Sequence, residues 1–123
     1  MTQVLMIFLG GGLGAVARFA MTKWFEHAHS SLSVGTIVSN ILSCIILGFI
    51  IGYSTRFSIS KELQALILIG FCGGFSTFST FSYENYKLLV NGSYVLFAFN
   101  VLFSVAICVV AIILGLRLVR FAY

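Results

Sequence analysis

Long apolar runs separated by short polar interruptions make up the chain, and the run lengths decide its class. Residues 3–24 stay apolar until Lys23, Trp24 and Glu26, and residues 33–53 form a second run closed by Tyr53 and Arg56. A third begins near Glu62 and reaches about Val90; a fourth goes from Tyr94 to Leu118, ended by Arg117 and Arg120. Each meets or exceeds the roughly 20 residues a helix needs to cross the hydrocarbon core. The pattern therefore predicts four transmembrane helices, over 3–24, 33–53, 62–90 and 94–118, in a single domain spanning 1–123. The linkers are too short for a soluble domain. Tyr53, Tyr83, Tyr86, Tyr94 and Tyr123 stand near proposed span ends, where an interfacial aromatic belt falls. The first run has no Lys or Arg before Arg18, so it lacks the basic start of a signal peptide and reads as an uncleaved first span.

The third run is unlike the others. Its middle reads GGFSTFSTF, residues 73–81. Lipid has no use for four hydroxyls, and Gly73–Gly74 weakens a helix. A helix break at the glycines is expected, with the third span split in two. A break exposes carbonyl and amide groups that cost several kcal/mol each in hydrocarbon unless protein, water or an ion meets them. Carbonyls clustered at two copies of such a break would suit a hard cation on a twofold axis.

Composition sharpens the class. The chain is 60% hydrophobic and 8% charged, with a mean hydropathy of +1.11; a soluble domain carries about 25% charged residues. Lipid is the solvent of its surface. The net charge of +4 comes from single, scattered bases, so no nucleic-acid footprint forms. Four spans put both termini and the second linker on one side, with Arg56, Lys61, Arg117 and Arg120; Lys23 and Lys87, and Arg18 if it snorkels, fall on the other. So small a bias barely fixes an orientation under the positive-inside rule, which hints at an antiparallel homodimer.

Other features read as packing. Gly10 and Gly14, and Gly48 and Gly52, are G-x-x-x-G pairs that let helices approach closely in lipid. GGGLGA at 10–15 imitates a dinucleotide fingerprint, but no βαβ unit surrounds it. Cys44, Cys72 and Cys108 lie in separate spans without a C-x-x-C pair and read as small packing residues. His27 and His29, next to Glu26, form an H-x-H that reads as an incidental loop feature rather than a metal site.

The polar residues inside the spans then carry the chemistry, because such groups are costly at membrane depth. They are Arg18, Asn40, Ser76, Thr77, Ser79, Thr80, Asn100 and Ser104, while Glu26, Glu62 and Glu84 all fall near span ends. Donors without a fixed deep negative charge suit an anion. Phe78 and Phe81 are three apart and share a helix face, and an aromatic ring is electropositive at its edge. Two such edges can meet a small anion without trapping it.

These segments together resemble the Fluc/CrcB family of fluoride channels. The match rests on GGGLGAVAR (10–18), GTIVSN (35–40), GFCGGFSTFSTFS (70–82) and the Ser104 region of the fourth span, and it covers nearly the whole chain. The resemblance implies an antiparallel, dual-topology homodimer in the inner (plasma) membrane, with a broken third helix and two fluoride pores along the interface. It implies a structural sodium ion held by backbone carbonyls at positions matching Gly73 and Ser76. Pore residues match Asn40, Phe78, Phe81, Ser79, Thr80 and Ser104, and the vestibule arginine matches Arg18. Asn100 stands where tyrosine is common, four residues before Ser104, with Cys108 at the following small position; Ser76 stands where threonine is common. The implied activity is passive exit of fluoride, driven by a negative-inside potential at about 2.3 kcal/mol per charge per 100 mV. No catalytic set or P-loop is present, so an enzyme is not expected. The alternatives are a small multidrug resistance-type transporter, which would need a glutamate in the first span, and a non-transporting scaffold subunit.

Overall fold

The computed structural model describes residues 1–26 and 32–122, with side chains to residue 120. His27, His29 and Tyr123 lie outside the described residues. Helix α1 is Thr2–Trp24 and α2 is Val34–Ser54. The third span, Lys61–Val90, is composite. It begins as α3, Lys61–Gln64, continues as a π-helical stretch, Ala65–Cys72, and returns to α-helix in α4, Gly73–Phe75. After an interruption it resumes as α5, Phe78–Val90, and α6 is Tyr94–Ala122. The architecture is all helical, with four segments long and apolar enough to cross a membrane. Among the described residues there is no strand.

Helix ends follow local chemistry. The Ser60 hydroxyl caps α3 by accepting from Leu63 N at 3.2 Å. Asn91, Gly92 and Ser93 end α5 in a Schellman turn: Ser93 N donates to Leu88 O at 2.8 Å and Gly92 N to Leu89 O at 3.0 Å. Gly92 has φ +72°, a backbone that L side chains avoid.

Two pairs of parallel helices hold the bundle together. In the first, α1 lies along the front half of the third span. A Cβ on Gly10 would sit 2.9 Å from Phe71 N, and one on Gly14 would sit 2.7 Å from Phe75 N. Gly70 and Gly74 answer from the other side, against Gly10 and Gly11. In the second, α2 lies along α6: Gly48 meets Ile112 and Gly115 meets Phe49 and Ile45. Of the glycine pairs read from sequence, Gly10, Gly14 and Gly48 thus sit at backbone-to-backbone contacts, joined by Gly70, Gly74 and Gly115, while Gly52 comes first against the Val119 side chain. In lipid such contacts gain by van der Waals packing, since apolar burial brings little there.

The expected break at Gly73–Gly74 needs correction in position. Gly73 is helical, at φ −65° and ψ −34°. The extended residues are Ser76, at φ −75° and ψ 158°, and Thr77, at φ −152° and ψ 120°. Gly74 serves contact with α1, so its missing side chain is used for packing rather than for a bend.

Candidate functional site

Thr77 organises the interruption. Its hydroxyl caps α5, accepting from Thr80 N at 3.3 Å, and donates to Thr80 Oγ1 at 3.1 Å. Its backbone N–H has left the helical ladder and donates to Asn40 Oδ1 at 2.8 Å, while Asn40 Nδ2 reaches Thr77 O at 3.5 Å. One amide from α2 therefore meets both polar groups of a buried extended residue. The next turn back keeps its backbone bond, Ser76 N to Cys72 O at 3.0 Å, and side chains add to it: Ser43 Oγ donates to the same oxygen at 2.9 Å and Ser76 Oγ at 2.7 Å. With Thr77 N–H on Asn40 and Thr80 N–H on Thr77, the carbonyls of Gly73 and Ser76 lose the donors four residues ahead of them. Among the described residues Ser76 O accepts a long 3.4 Å contact from Arg18 Nη1. Arg18 therefore turns inward to the interruption instead of snorkelling.

Beside this knot lies an open cavity of about 320 Å³. Asn40, Ser76, Phe78, Phe81 and Ser104 line it, with Thr77 and Cys108, and no charged residue does. Phe78 and Phe81 are tilted by 40° with centroids 6.0 Å apart, and Phe78 is 81% exposed. The parallel register of α2 and α6 explains the company. Gly48 meets Ile112, so one turn back Cys44 comes beside Cys108, and a further turn back Asn40 comes beside Ser104. Cysteines that look unrelated along the chain are thereby neighbours.

The other expected site residues lie off this wall. Ser79 and Thr80 are exposed at the start of α5. Gly73 lines a separate cavity of about 180 Å³ that shares Ser76. Asn100 is buried behind Ser104, whose hydroxyl donates to Asn100 Oδ1 at 3.4 Å. Asn100 in turn donates to Asn85 Oδ1 at 3.0 Å, and Asn85 Nδ2 donates to Phe81 O at 2.8 Å. Asn85 is thus the link from α6 to the base of Phe81. Sequence reasoning missed it because it sits among the polar residues of a span end; the signal available was its position four residues after Phe81. Glu84, read as an end-of-span carboxylate, accepts a 2.7 Å hydrogen bond from Thr36, which is only 2% exposed. One carboxylate is therefore engaged in helix packing.

The model of the family described as "CrcB-like protein, Camphor Resistance (CrcB)" matches residues 5–116. The chain belongs to the CrcB family. Among curated CrcB relatives, a protein of Gloeothece citriformis is 39% identical over 121 residues, covering 98% of both chains. One from Geobacter metallireducens is 37% identical with the same coverage, and one from Bacteroides fragilis is 36% identical over 94% of each. All three are named "Fluoride-specific ion channel FluC", an ion channel and not an enzyme. For a CrcB chain, four spans make a multi-pass membrane protein.

Proposed function

We propose that the chain is a passive, fluoride-selective channel of the inner membrane that lets cytoplasmic fluoride leave. The observation that carries this reading is the uncharged cavity beside the interrupted third span, lined by Asn40, Ser104 and the Phe78–Phe81 pair, in a chain of the CrcB family. Asn40 has two amide hydrogens and its single protein contact through nitrogen is long, so a donor remains for an anion. The two rings offer electropositive edges. With no full charge on the wall, an anion is held weakly enough to leave, which conduction requires. Ser79 and Thr80, exposed on the face of α5, continue the polar strip along the same pathway, and Arg18 gathers anions at its mouth.

The proposed active form is an antiparallel, dual-topology homodimer with two pores. Gly73 is exposed, and apart from its own turn of helix nothing described lies within 4 Å of where a Cβ would stand, which leaves room for a second copy. The freed carbonyls of Gly73 and Ser76 are the oxygen type that a hard cation takes, so these residues fit a sodium ion shared between copies. Such an ion supplies positive charge that offsets the dipoles of the interrupted backbone.

The test is fluoride-electrode efflux from liposomes holding the purified protein. Fluoride leaves when a potassium shunt is opened, chloride does not, and Phe81→Ile abolishes efflux while the protein elutes as the wild type does. Equal passage of chloride would end this reading, and an unchanged rate in Phe81→Ile would remove the aromatic pair from it.

A further inference from the structure

A second cavity, about 360 Å³, lies at the opposite end of α2 and α6 from the helix starts. It shares no lining residue with the cavity beside Thr77. Three arginines line it: Arg56 just beyond α2, and Arg117 and Arg120, three apart on one face of α6. Thr55 also lines it, its hydroxyl donating to Gly52 O at 2.7 Å, while Ile113 and Leu116 form an apolar flank. Among the described residues no carboxylate lines it and none of the three arginines forms an ion pair. Three arginines without an ion-pair partner among the described residues thus line one cavity where two spans end.

We propose that this pocket binds the phosphate of an anionic phospholipid, with an acyl chain running down α6 over Ile113 and Leu116. Arginine matches phosphate because its planar fork gives two parallel donors, and a basic pocket between helix ends is a headgroup site by its chemistry. A free phosphate ion has the same charge but no use for the apolar flank, which favours the lipid as the source. The negative ends of the α2 and α6 dipoles, each about half a charge, are outweighed by the three arginines. The register of α2 on α6 sets the site, since it brings Arg56 to the same cavity as Arg117 and Arg120, which are 61 and 64 residues away along the chain.

The site stands independently of the fluoride reading, and its test does not use ion flow. Purified protein in a nonionic detergent is titrated with phosphatidylglycerol and, separately, with phosphatidylcholine, and retained lipid is counted by native mass spectrometry. Phosphatidylglycerol is retained preferentially. Arg56→Gln, Arg117→Gln and Arg120→Gln each weaken retention about fivefold, the worth of one basic residue near an anionic surface. Lys61→Gln removes the same charge on the same membrane face, but Lys61 lines a different cavity, so retention holds. Helix content and elution volume check that each variant is folded. Equal retention of the two lipids, an equal loss in Lys61→Gln, or displacement of the lipid by inorganic phosphate at matching concentration would each overturn the proposal, the last by making it a free-anion site.

Discussion

The front half of the third span and the turn that follows it solve the same problem in opposite ways. From Gly70 to Gly74 the span meets α1 with almost no side chain between the backbones. From Ser76 to Thr77 it leaves helical geometry altogether, and side chains from α2 and from the span itself take up the freed N–H groups of Thr77 and Thr80. A reader of sequence sees glycines and expects the bend there. The structure shows glycine used for contact and hydroxyl or amide groups used for the bend. In lipid the second use is the more demanding, because each abandoned backbone group must find a partner.

Substitutions can break either half of that comparison. The largest effect belongs to Gly74→Leu. Its side chain would enter the backbone of Gly11, which cannot swing aside, so the loss exceeds the roughly 1–3 kcal/mol of ordinary overpacking. Folded protein should disappear from the eluate of a detergent gel filtration. Asn40→Leu comes next. It strands the Thr77 N–H, at a cost of about 1–3 kcal/mol, and the Thr77 amide should exchange with deuterium much faster while amides of α1 keep their protection. If Thr77 stays protected, Asn40 is not what supports the interruption. Asn100→Ala follows, at about 1 kcal/mol, since it leaves Asn85 Oδ1 and the Ser104 hydroxyl without their partner; a thermal melt reads it. Gly73→Ala is the smallest. Apart from its own turn of helix nothing described lies within 4 Å of the added carbon, and alanine favours helix by up to about 1 kcal/mol. Unchanged helix content with loss of paired protein would place Gly73 on a contact between copies.

The four spans were legible because apolar runs of membrane length end in Arg, Lys, Trp and Tyr, a signal that needs no tertiary context. Gly10, Gly14 and Gly48 were legible as contacts for a similar reason: small residues four apart make one flat face. The π-helical stretch was not, since ALILIGFC is apolar on every side and carries no mark of phase. The position of the interruption depends on Thr77 acting as a cap and Asn40 reaching across 37 residues, and capping at membrane depth shows only once the partner helix is in place. Asn40, Ser76, Phe78, Phe81 and Ser104 were chosen by type and spacing and share one wall. Asn85 and the Thr36–Glu84 bond escaped because a polar residue near a span end usually faces water, and only the packing of α5 against its neighbours turns these inward.

The amide of Asn40 has one more consequence. Because it serves both the N–H and the C=O of Thr77 within a single copy, that residue asks nothing of a neighbouring molecule, and only the carbonyls of Gly73 and Ser76 are left open at the turn. Among the described residues no buried side-chain nitrogen or oxygen is left without a partner. A newly made chain can therefore hold Thr77 in its extended shape with its own residues alone, before anything outside the chain meets the two open carbonyls.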